Sequence, residues 1–430
     1  MHRIRSLWLG LRSSLWFLPS IILCLGAALA VGLVEAQAVF DVDLPKRWPR
    51  LFGAGAEGAR GMLSAIATSM ITVAGVVFSI TIVALSLAAS QYSPRVLRNF
   101  MSDRPTQAVL GAFLAIFAYC LIVLRTIRGP DEGGFVPSLA VLGGVLMAFI
   151  GVFLLIYYVH HVASSIQVSS ILEHIAEETG AAIERLFPAE LGSDATTHEQ
   201  DPRPPGALPM HWVAVCAPTT GYVVGVDGAG LLARAEEQSV VVRIVPQVGD
   251  FVVDGRPLLQ VAGRAGPDPR CDDALLACIT IGRQRTVDQD APFGLQQIVD
   301  IALKALSPGI HDPTTAITCI DQLGALMVRM ASRQVPGPYR SSQGALRVIA
   351  RGPGFASMLA LSFDAITDHA ADHWEVYARL LTILALITEA TADPARRALL
   401  AGQADAVMAA AARAGLPAPR RDALRRLRGS

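Results

Sequence analysis

The stretch SAIATSMITVAGVVFSITIVALSLAASQY, residues Ser64 to Tyr92, decides the fold of this chain. It contains no charged residue, and a helix of this length, rising about 1.5 Å per residue, crosses a bilayer. Its small and hydroxylated residues recur at three- and four-residue steps, so they share one helical face. That stripe consists of Thr68, Thr72, Gly75, Ser79, Ser86 and Ala89.

The stripe has two possible uses. Small residues allow transmembrane helices to approach closely, and hydroxyls can form hydrogen bonds across the contact. The pattern therefore predicts a helix buried between other helices, either of the same chain or of copies of it. A pore lining would use the same residues, so the sequence leaves helix packing and pore lining open.

The composition agrees with a membrane protein. Apolar residues make up 52% of the 430 residues and charged residues only 17%, and the mean hydropathy is +0.45. Lys+Arg and Asp+Glu are both 36, so the net charge gives no indication of a nucleic-acid partner. The six cysteines form no CxxC pair, which favours free thiols in a reducing compartment.

Four apolar runs predict a transmembrane domain over residues 1–160, with spans at about 15–34, 64–92, 107–124 and 136–159. Three arginines precede the first run: Arg3, Arg5 and Arg12. Basic residues favour the cytoplasmic side, but the segments on the two sides of the spans carry six Lys and Arg residues each, so the orientation depends on the first helix, which usually dominates. We therefore expect a cytoplasmic N-terminus, and four spans return the C-terminal region to the same side.

The rest of the chain divides by pattern. Residues 161–187 predict a helix that continues the fourth span, and residues 188–209 form a Pro- and Asp-containing linker. Residues 210–263 contain short β-rich runs separated by Gly, Pro and Asp, which is typical of a small β module. Residues 270–430 predict a mostly α-helical cytoplasmic domain. The fold class is thus a four-helix membrane protein with a β module and an α-helical domain.

Two segments of the β module resemble the halves of a biotinyl- or lipoyl-type barrel-sandwich: 217–223 (APTTGYV) and 248–258 (VGDFVVDGRPL). In such modules the glycines and the Gly-Asp turn shape tight corners. A biotin or lipoate carrier needs a lysine on the exposed hairpin, and this module contains none. We therefore expect no attached cofactor and a structural or docking role.

One polar cluster stands out in the α-helical region. Its candidate ligand-binding residues are Arg283, Arg285, Asp290, Asp300, His311 and Asp312. They could form a pocket in which the arginines hold an anion and the carboxylates accept hydrogen bonds. Alternatively, they form a capped helix pair held by buried salt bridges. Asp312 directly precedes Pro313, the arrangement of an N-cap carboxylate before a first-turn proline.

No catalytic or metal-binding motif accompanies this cluster. The sequence lacks a nucleophile elbow, a P-loop, a Rossmann glycine pattern and HExxH, so we expect no enzyme. His369 and His373 have the i, i+4 spacing that can share a metal on a helix. They alternate with Asp364, Asp368 and Asp372, a pattern more typical of a solvated face, so no metal site is predicted.

Several motifs together resemble the DUF2254 predicted membrane proteins of bacteria. They are Ser93-Pro94-Arg95 after the second span, the GYV and GDFV pieces of the β module, Arg285-Thr286, Gln289-Asp290, Phe293-Gly294, and ALSPGIHDPTTA at 305–316. The resemblance implies an inner-membrane protein and no particular reaction. The family commonly has asparagine where this chain has His311, which argues against a catalytic role for that histidine.

Two functions fit these observations. The first is an oligomeric channel or transporter-like protein, with the Ser64–Tyr92 helix near the oligomer axis and the cytoplasmic region as a vestibule or gate. The second is a membrane-tethered sensor or scaffold whose cytoplasmic domain binds a ligand or a protein partner. Both involve the lipid bilayer and copies of the chain as partners.

Overall fold

A computed structural model describes residues 16–40, 55–91, 103–129, 135–165, 167–187 and 211–429 of the chain. It divides into two compact units, Met1–Gln167 and Val168–Ser430. The predicted linker at 188–209 and the arginines before the first span lie outside the described residues.

The first unit consists of four long helices: α1 (Phe17–Phe40), α2 (Ala56–Gln91), α3 (Arg104–Thr126) and α4 (Ser138–Ser165). All four are long and apolar enough to cross a membrane. This confirms the four predicted spans. The second helix begins eight residues before the predicted start at Ser64, because Ala56 to Leu63 continue the helix with Ala59 and Leu63 buried.

The core of the first unit is built on one face of α2. Ala59, Leu63, Ala67, Met70, Ala74 and Val77 recur at three- and four-residue steps and are all buried. Helices α1 and α3 approach even more closely, since a Cβ added at Gly26 would lie 2.8 Å from Ala115 Cβ. Close backbone approach at small residues is how helices gain packing energy inside a membrane.

Buried hydroxyls connect these helices. The Tyr119 hydroxyl donates to the Ala140 carbonyl at 2.7 Å, and the Tyr158 hydroxyl lies 2.9 Å from the Val77 carbonyl and 2.8 Å from Thr81 Oγ1. Polar groups in a hydrocarbon environment need internal partners. These side chains therefore fix the helices relative to one another.

The second unit begins with α5 (Val168–Leu186) and continues with two sheets. The strands and short helices are β1 (Val213–Cys216), β2 (Gly221–Val226), α6 (Gly228–Glu237), β3 (Val241–Ile244), β4 (Phe251–Val252), β5 (Pro257–Ala262), α7 (Pro269–Leu276) and β6 (Ile279–Gly282). Helices α8 (Ala291–Leu306) and α9 (Pro313–Ala331) follow, then β7 (Tyr339–Ser342) and β8 (Ala345–Ile349).

One sheet has the strand order β1-β5-β3-β8-β7 and the other β4-β2-β6. All neighbouring strands are antiparallel except β3 and β8, which are parallel. Both sheets contribute to one hydrophobic core, through Val242, Leu259 and Val348 from the larger sheet and Val223 and Ile279 from the smaller.

The predicted β module of residues 210–263 is therefore incomplete. Strands β6, β7 and β8 come from the region predicted to be helical, and they complete both sheets. Each of these strands has only four or five residues. Periodicity alone does not distinguish so short a run from the end of a helix. Only tertiary pairing decides them.

The chain ends in four helices: α10 (Phe355–His369), α11 (Trp374–Glu389), α12 (Pro394–Arg413) and α13 (Ala418–Gly429). Helix α5, predicted as an extension of the fourth span, is a separate element. It packs on α8 and α9, where Thr179 and Gly180 of α5 face Gly294 and Arg329. The second unit therefore has its own helical layer, which begins at Val168.

Candidate functional site

The polar motif of the second unit is built around one ion pair. The Asp290 carboxylate accepts two hydrogen bonds from Arg285, with Nε at 2.8 Å and Nη2 at 2.9 Å. The side chain of Asp290 is 2% exposed and that of Arg285 is 27% exposed. Such a bidentate arrangement is the strongest geometry for a guanidinium and a carboxylate.

Asp290 is also the N-cap of α8. Its Oδ1 accepts a hydrogen bond from the Phe293 backbone N–H at 3.1 Å, and Pro292 lies in the first turn. The Arg285 guanidinium lies 4.8 Å from the centre of the Phe293 ring. One carboxylate thus neutralises a half-buried cation and satisfies an unpaired N–H at the helix start.

The Gly-Asp turn of the β module meets this pair. Gly249 has a φ of +97°, and a Cβ there would overlap Asp290 Oδ2 and lie 2.9 Å from Arg285 Nη2. Its backbone N–H donates to the Val223 carbonyl at 2.8 Å. Glycine is required twice here, for the left-handed backbone and for the close approach. The Gly249-Asp250 turn, predicted to shape a barrel corner, therefore also packs directly against the Arg285–Asp290 ion pair.

Gln289 ties the same loop to the smaller sheet. Its Oε1 accepts a hydrogen bond from the Val226 backbone N–H at 2.8 Å, beside the irregular pairing of β2 with β6. Residues 285–290, the Gly249 turn and β2 therefore form one connected structure. This arrangement favours the salt-bridged, capped alternative for Arg285 and Asp290 over an open anion pocket.

The other predicted ligand residues lie elsewhere. Arg283 is exposed, and Asp300 accepts a hydrogen bond from Gln296 at 2.8 Å within α8. Helix α8 has 16 residues and spans about 24 Å, so Asp290 at its start is far from His311 and Asp312 beyond its end. Of the two alternatives, the shared pocket has less support, because the motif residues occupy the two ends of a helix.

The turn after α8 has a capping role. The Thr315 backbone N–H and hydroxyl donate to the Asp312 carboxylate at 3.1 Å and 2.6 Å, and the Asp312 N–H donates to the Ala305 carbonyl at 2.8 Å. The hydrogen bonds from the Thr315 side chain and backbone lower the pKa of Asp312. Asp312 is thus the N-cap of α9, as the sequence predicts.

His311 precedes this cap with a φ of +53°. Asparagine tolerates the left-handed region better than most side chains, which agrees with the residue that the resemblance places at this position. The His311 ring lies 4.6 Å from the His373 ring, centre to centre. Sequence reasoning missed this pairing because the two residues are on distant segments.

His369 and His373, which the sequence places four residues apart, do not lie on one helix. Helix α10 ends at His369, Ala371 has a φ of +48°, and His373 directly precedes α11. His369 and His373 therefore do not lie one turn apart on a single helix, and their i, i+4 spacing has no meaning for a metal. Among the described residues no group of three or more His, Cys, Asp and Glu side chains could hold a metal ion.

Removing the Asp312 carboxylate tests the cap. We expect Asp312→Ala to lower the free energy of unfolding by about 0.5–2 kcal/mol and Asp312→Asn to preserve it nearly fully. Because the folded state lowers the pKa of Asp312, this stabilisation is present above the unfolded pKa and is lost as the pH falls through the folded value. The gap between wild type and Asp312→Ala should therefore narrow below about pH 4.

Chemical unfolding of the Val168–Ser430 unit, followed by circular dichroism at pH 7 and pH 3, provides the measurement. The fragment begins at Val168 because α5 packs on α8 and α9. If the alanine, asparagine and wild-type proteins unfold together at pH 7, Asp312 is not an effective cap.

The small-residue stripe of α2 is the candidate site of the membrane unit. Five of its six members, Thr68, Thr72, Gly75, Ser79 and Ser86, are exposed, and a Cβ at Gly75 would meet no atom of the described residues within 4 Å. At about 100° per residue, the stripe lies about 150° around the axis from the buried row. In the described bundle the stripe therefore faces outward and does not pack against helices of the same chain.

Comparison with known proteins identifies the family of this chain. The sequence model of the predicted membrane protein family DUF2254 matches residues 12–386. The chain belongs to the DUF2254 family. The DUF2254 match includes all four spanning helices, both sheets and the Arg285–Asp290 motif, and ends within α11.

Relatives of this DUF2254 protein occur in mycobacteria. The uncharacterized protein Rv1290c of Mycobacterium tuberculosis (strain ATCC 25618 / H37Rv) is 33% identical over 421 residues, covering 96% of this chain and 79% of that protein. The uncharacterized protein Mb1321c of Mycobacterium bovis has the same identity and coverage. No solved structure matches this DUF2254 chain. The family and the four spans establish a membrane protein.

Proposed function

We propose that the protein is an oligomeric channel or transporter-like membrane protein, with the α2 stripe at the contact between copies or along the pathway there. The observation that supports this proposal is the outward position of Thr68, Thr72, Gly75, Ser79 and Ser86. From Thr68 to Ser86 the stripe extends about 27 Å, close to the thickness of the hydrocarbon core.

A face that only contacts lipid has a different composition. On helix α4, Leu146, Phe149, Phe153 and Ile156 are each at least 60% exposed, as expected for side chains that face lipid tails. Large apolar side chains suit lipid tails, whereas small and hydroxylated residues are enriched at helix contacts. On α2 the stripe lies between such large residues, among them Phe78 and Val83. This contrast favours a protein contact or a pore on the stripe.

The interior of the described bundle offers less support for a pathway. Leu63, Phe113 and Tyr119 are fully buried and Ile116 nearly so, and the tyrosine hydroxyl bonds to a backbone carbonyl. We therefore place the pathway between copies of the chain and not inside the bundle of one chain. In this proposal the C-terminal unit acts as the vestibule or gate.

Enlarging Gly75 tests the stripe. We expect Gly75→Leu to reduce both crosslinked oligomer and conductance strongly, while Val83→Leu has little effect, since it adds only one methylene to an apolar side chain that is already large and exposed. Because a Cβ at Gly75 would meet none of the described atoms within 4 Å, we expect the substitution to preserve the fold of the single chain. Crosslinking in native membranes and recordings of purified protein in planar bilayers, under voltage and under tension, measure the two effects.

The possible outcomes separate the two functions. Equal oligomer yields for both variants would remove the basis for a contact on the stripe. An intact wild-type oligomer with no conductance or transport under any condition would contradict the channel proposal and favour the membrane-tethered sensor or scaffold.

We further propose that both termini are cytoplasmic, supported by the arginines before the first span and the unpaired cysteines. We expect cytoplasm-active reporters fused at Pro204 and at Ser430 to be active, and periplasm-only reporters at the same positions to be silent. Activity of a periplasm-only reporter at either position would show the inverted orientation.

A further inference from the structure

One row of side chains across the five-stranded sheet carries three polar groups. In the pairing register, Gln260 of β5 lies opposite Arg243 of β3, and Arg243 lies opposite Ile349 of β8. Tyr339 of β7 completes the row opposite Ile349. Residues opposite one another share a face, and their neighbours Val242, Val261 and Val348 point into the core. The row therefore faces away from the core.

A cavity of about 420 Å³ lies over this row. Its polar lining consists of Arg243, Gln260, Tyr339 and Arg351, and Val245 and Ile349 are among its apolar residues. The volume is in the range of small-molecule sites. Among the described residues, the lining contains two guanidinium groups and no carboxylate, in a chain whose basic and acidic residues are equal in number.

Arg243 is held in place before any ligand arrives. Its guanidinium lies 4.1 Å from the centre of the Trp212 ring, and Nη1 donates to Gln260 Oε1 at 3.2 Å. A guanidinium carries five N–H donors, so this hydrogen bond leaves donors for another acceptor. Stacking on an aromatic ring together with a fixed hydrogen bond reduces the entropy lost on binding.

We propose that this cavity binds a small molecule through a phosphoryl group, whose oxygens accept hydrogen bonds from Arg243 and Arg351. Guanidinium groups match the geometry and charge of phosphoryl oxygens, and such charge-assisted bonds are the strong ones. The Tyr339 hydroxyl is a further donor on the same face. The phosphoryl group can belong to a soluble organic phosphate or to a lipid headgroup. The site is independent of whether the protein conducts.

Binding to the full-length protein tests the site. The protein is purified in dodecyl maltoside, whose headgroup carries no phosphate, and titration calorimetry measures binding of AMP and, separately, of short-chain phosphatidylglycerol. The variants are Arg351→Gln in the cavity and Arg256→Gln as the control. Both arginines are exposed and belong to the same unit, and Arg256 lies outside the cavity lining.

We expect Arg351→Gln to weaken binding about tenfold or more, and Arg256→Gln to bind like wild type. A loss seen only with AMP identifies a soluble phosphate, and a loss seen only with phosphatidylglycerol identifies a lipid headgroup. Trp212 emission should change on binding, because Arg243 stacks on its ring. The proposal is overturned if neither probe binds, or if both variants lose affinity equally.

Discussion

Asp290→Ala should lower the free energy of unfolding of the Val168–Ser430 unit by about 3–5 kcal/mol. The substitution leaves the half-buried Arg285 without the carboxylate that contacts it at 2.8 and 2.9 Å. It also removes the acceptor for the first turn of α8. Removing one partner of a buried ion pair costs far more than the pair itself contributes.

Two further variants separate the loss of the ion pair from the loss of the helix cap. Asp290→Asn keeps an oxygen for the Phe293 N–H but loses the charge, so we expect a loss that is smaller than that of the alanine variant. Asp288→Ala removes an exposed carboxylate two residues away and should have little effect. Denaturant unfolding curves compare them, and an Asp290→Ala curve that overlays that of Asp288→Ala would contradict the structural role of the pair.

Gly294→Ala should also destabilise the second unit, by about 1–3 kcal/mol or more. A Cβ at Gly294 would overlap Thr179 Oγ1 and lie 2.9 Å from Thr179 Cβ. Thr179 is fully buried, and its hydroxyl donates to the Ile175 carbonyl at 2.6 Å. Neither helix can yield easily, so the substitution separates α5 from α8.

The control for this prediction is Gly402→Ala in α12. A Cβ at Gly402 meets no atom within 4 Å, so the ordinary gain in helix propensity, about 0.5–1 kcal/mol, should stabilise the protein. Adding Thr179→Ala to Gly294→Ala should restore part of the lost stability, because it removes the hydroxyl that the new Cβ overlaps. If Gly294→Ala and Gly402→Ala shift the thermal midpoint in the same direction, the close contact is absent.

Long apolar runs determined the membrane unit from the sequence alone. A helix in lipid must satisfy its backbone internally, so length and hydropathy were enough to locate four spans. Periodicity also placed the stripe of α2 on one face. The direction of that face was not encoded locally, because α2 carries small residues on two opposite sides, and only packing decided that Ala67 and Ala74 face inward.

The sequence alone also predicted that Asp312 is the N-cap of α9. A cap and a first-turn proline act within four residues, so the sequence was sufficient. Arg285 and Asp290 are only five residues apart, but the contacts of this pair with Gly249 and the hydrogen bond of Gln289 with Val226 join segments that are 36 to 63 residues apart and depend on sheet register. The same holds for β6, β7 and β8, and for the cavity row of Gln260, Arg243 and Tyr339. Register is set by long-range pairing, so these features exist only in the tertiary structure.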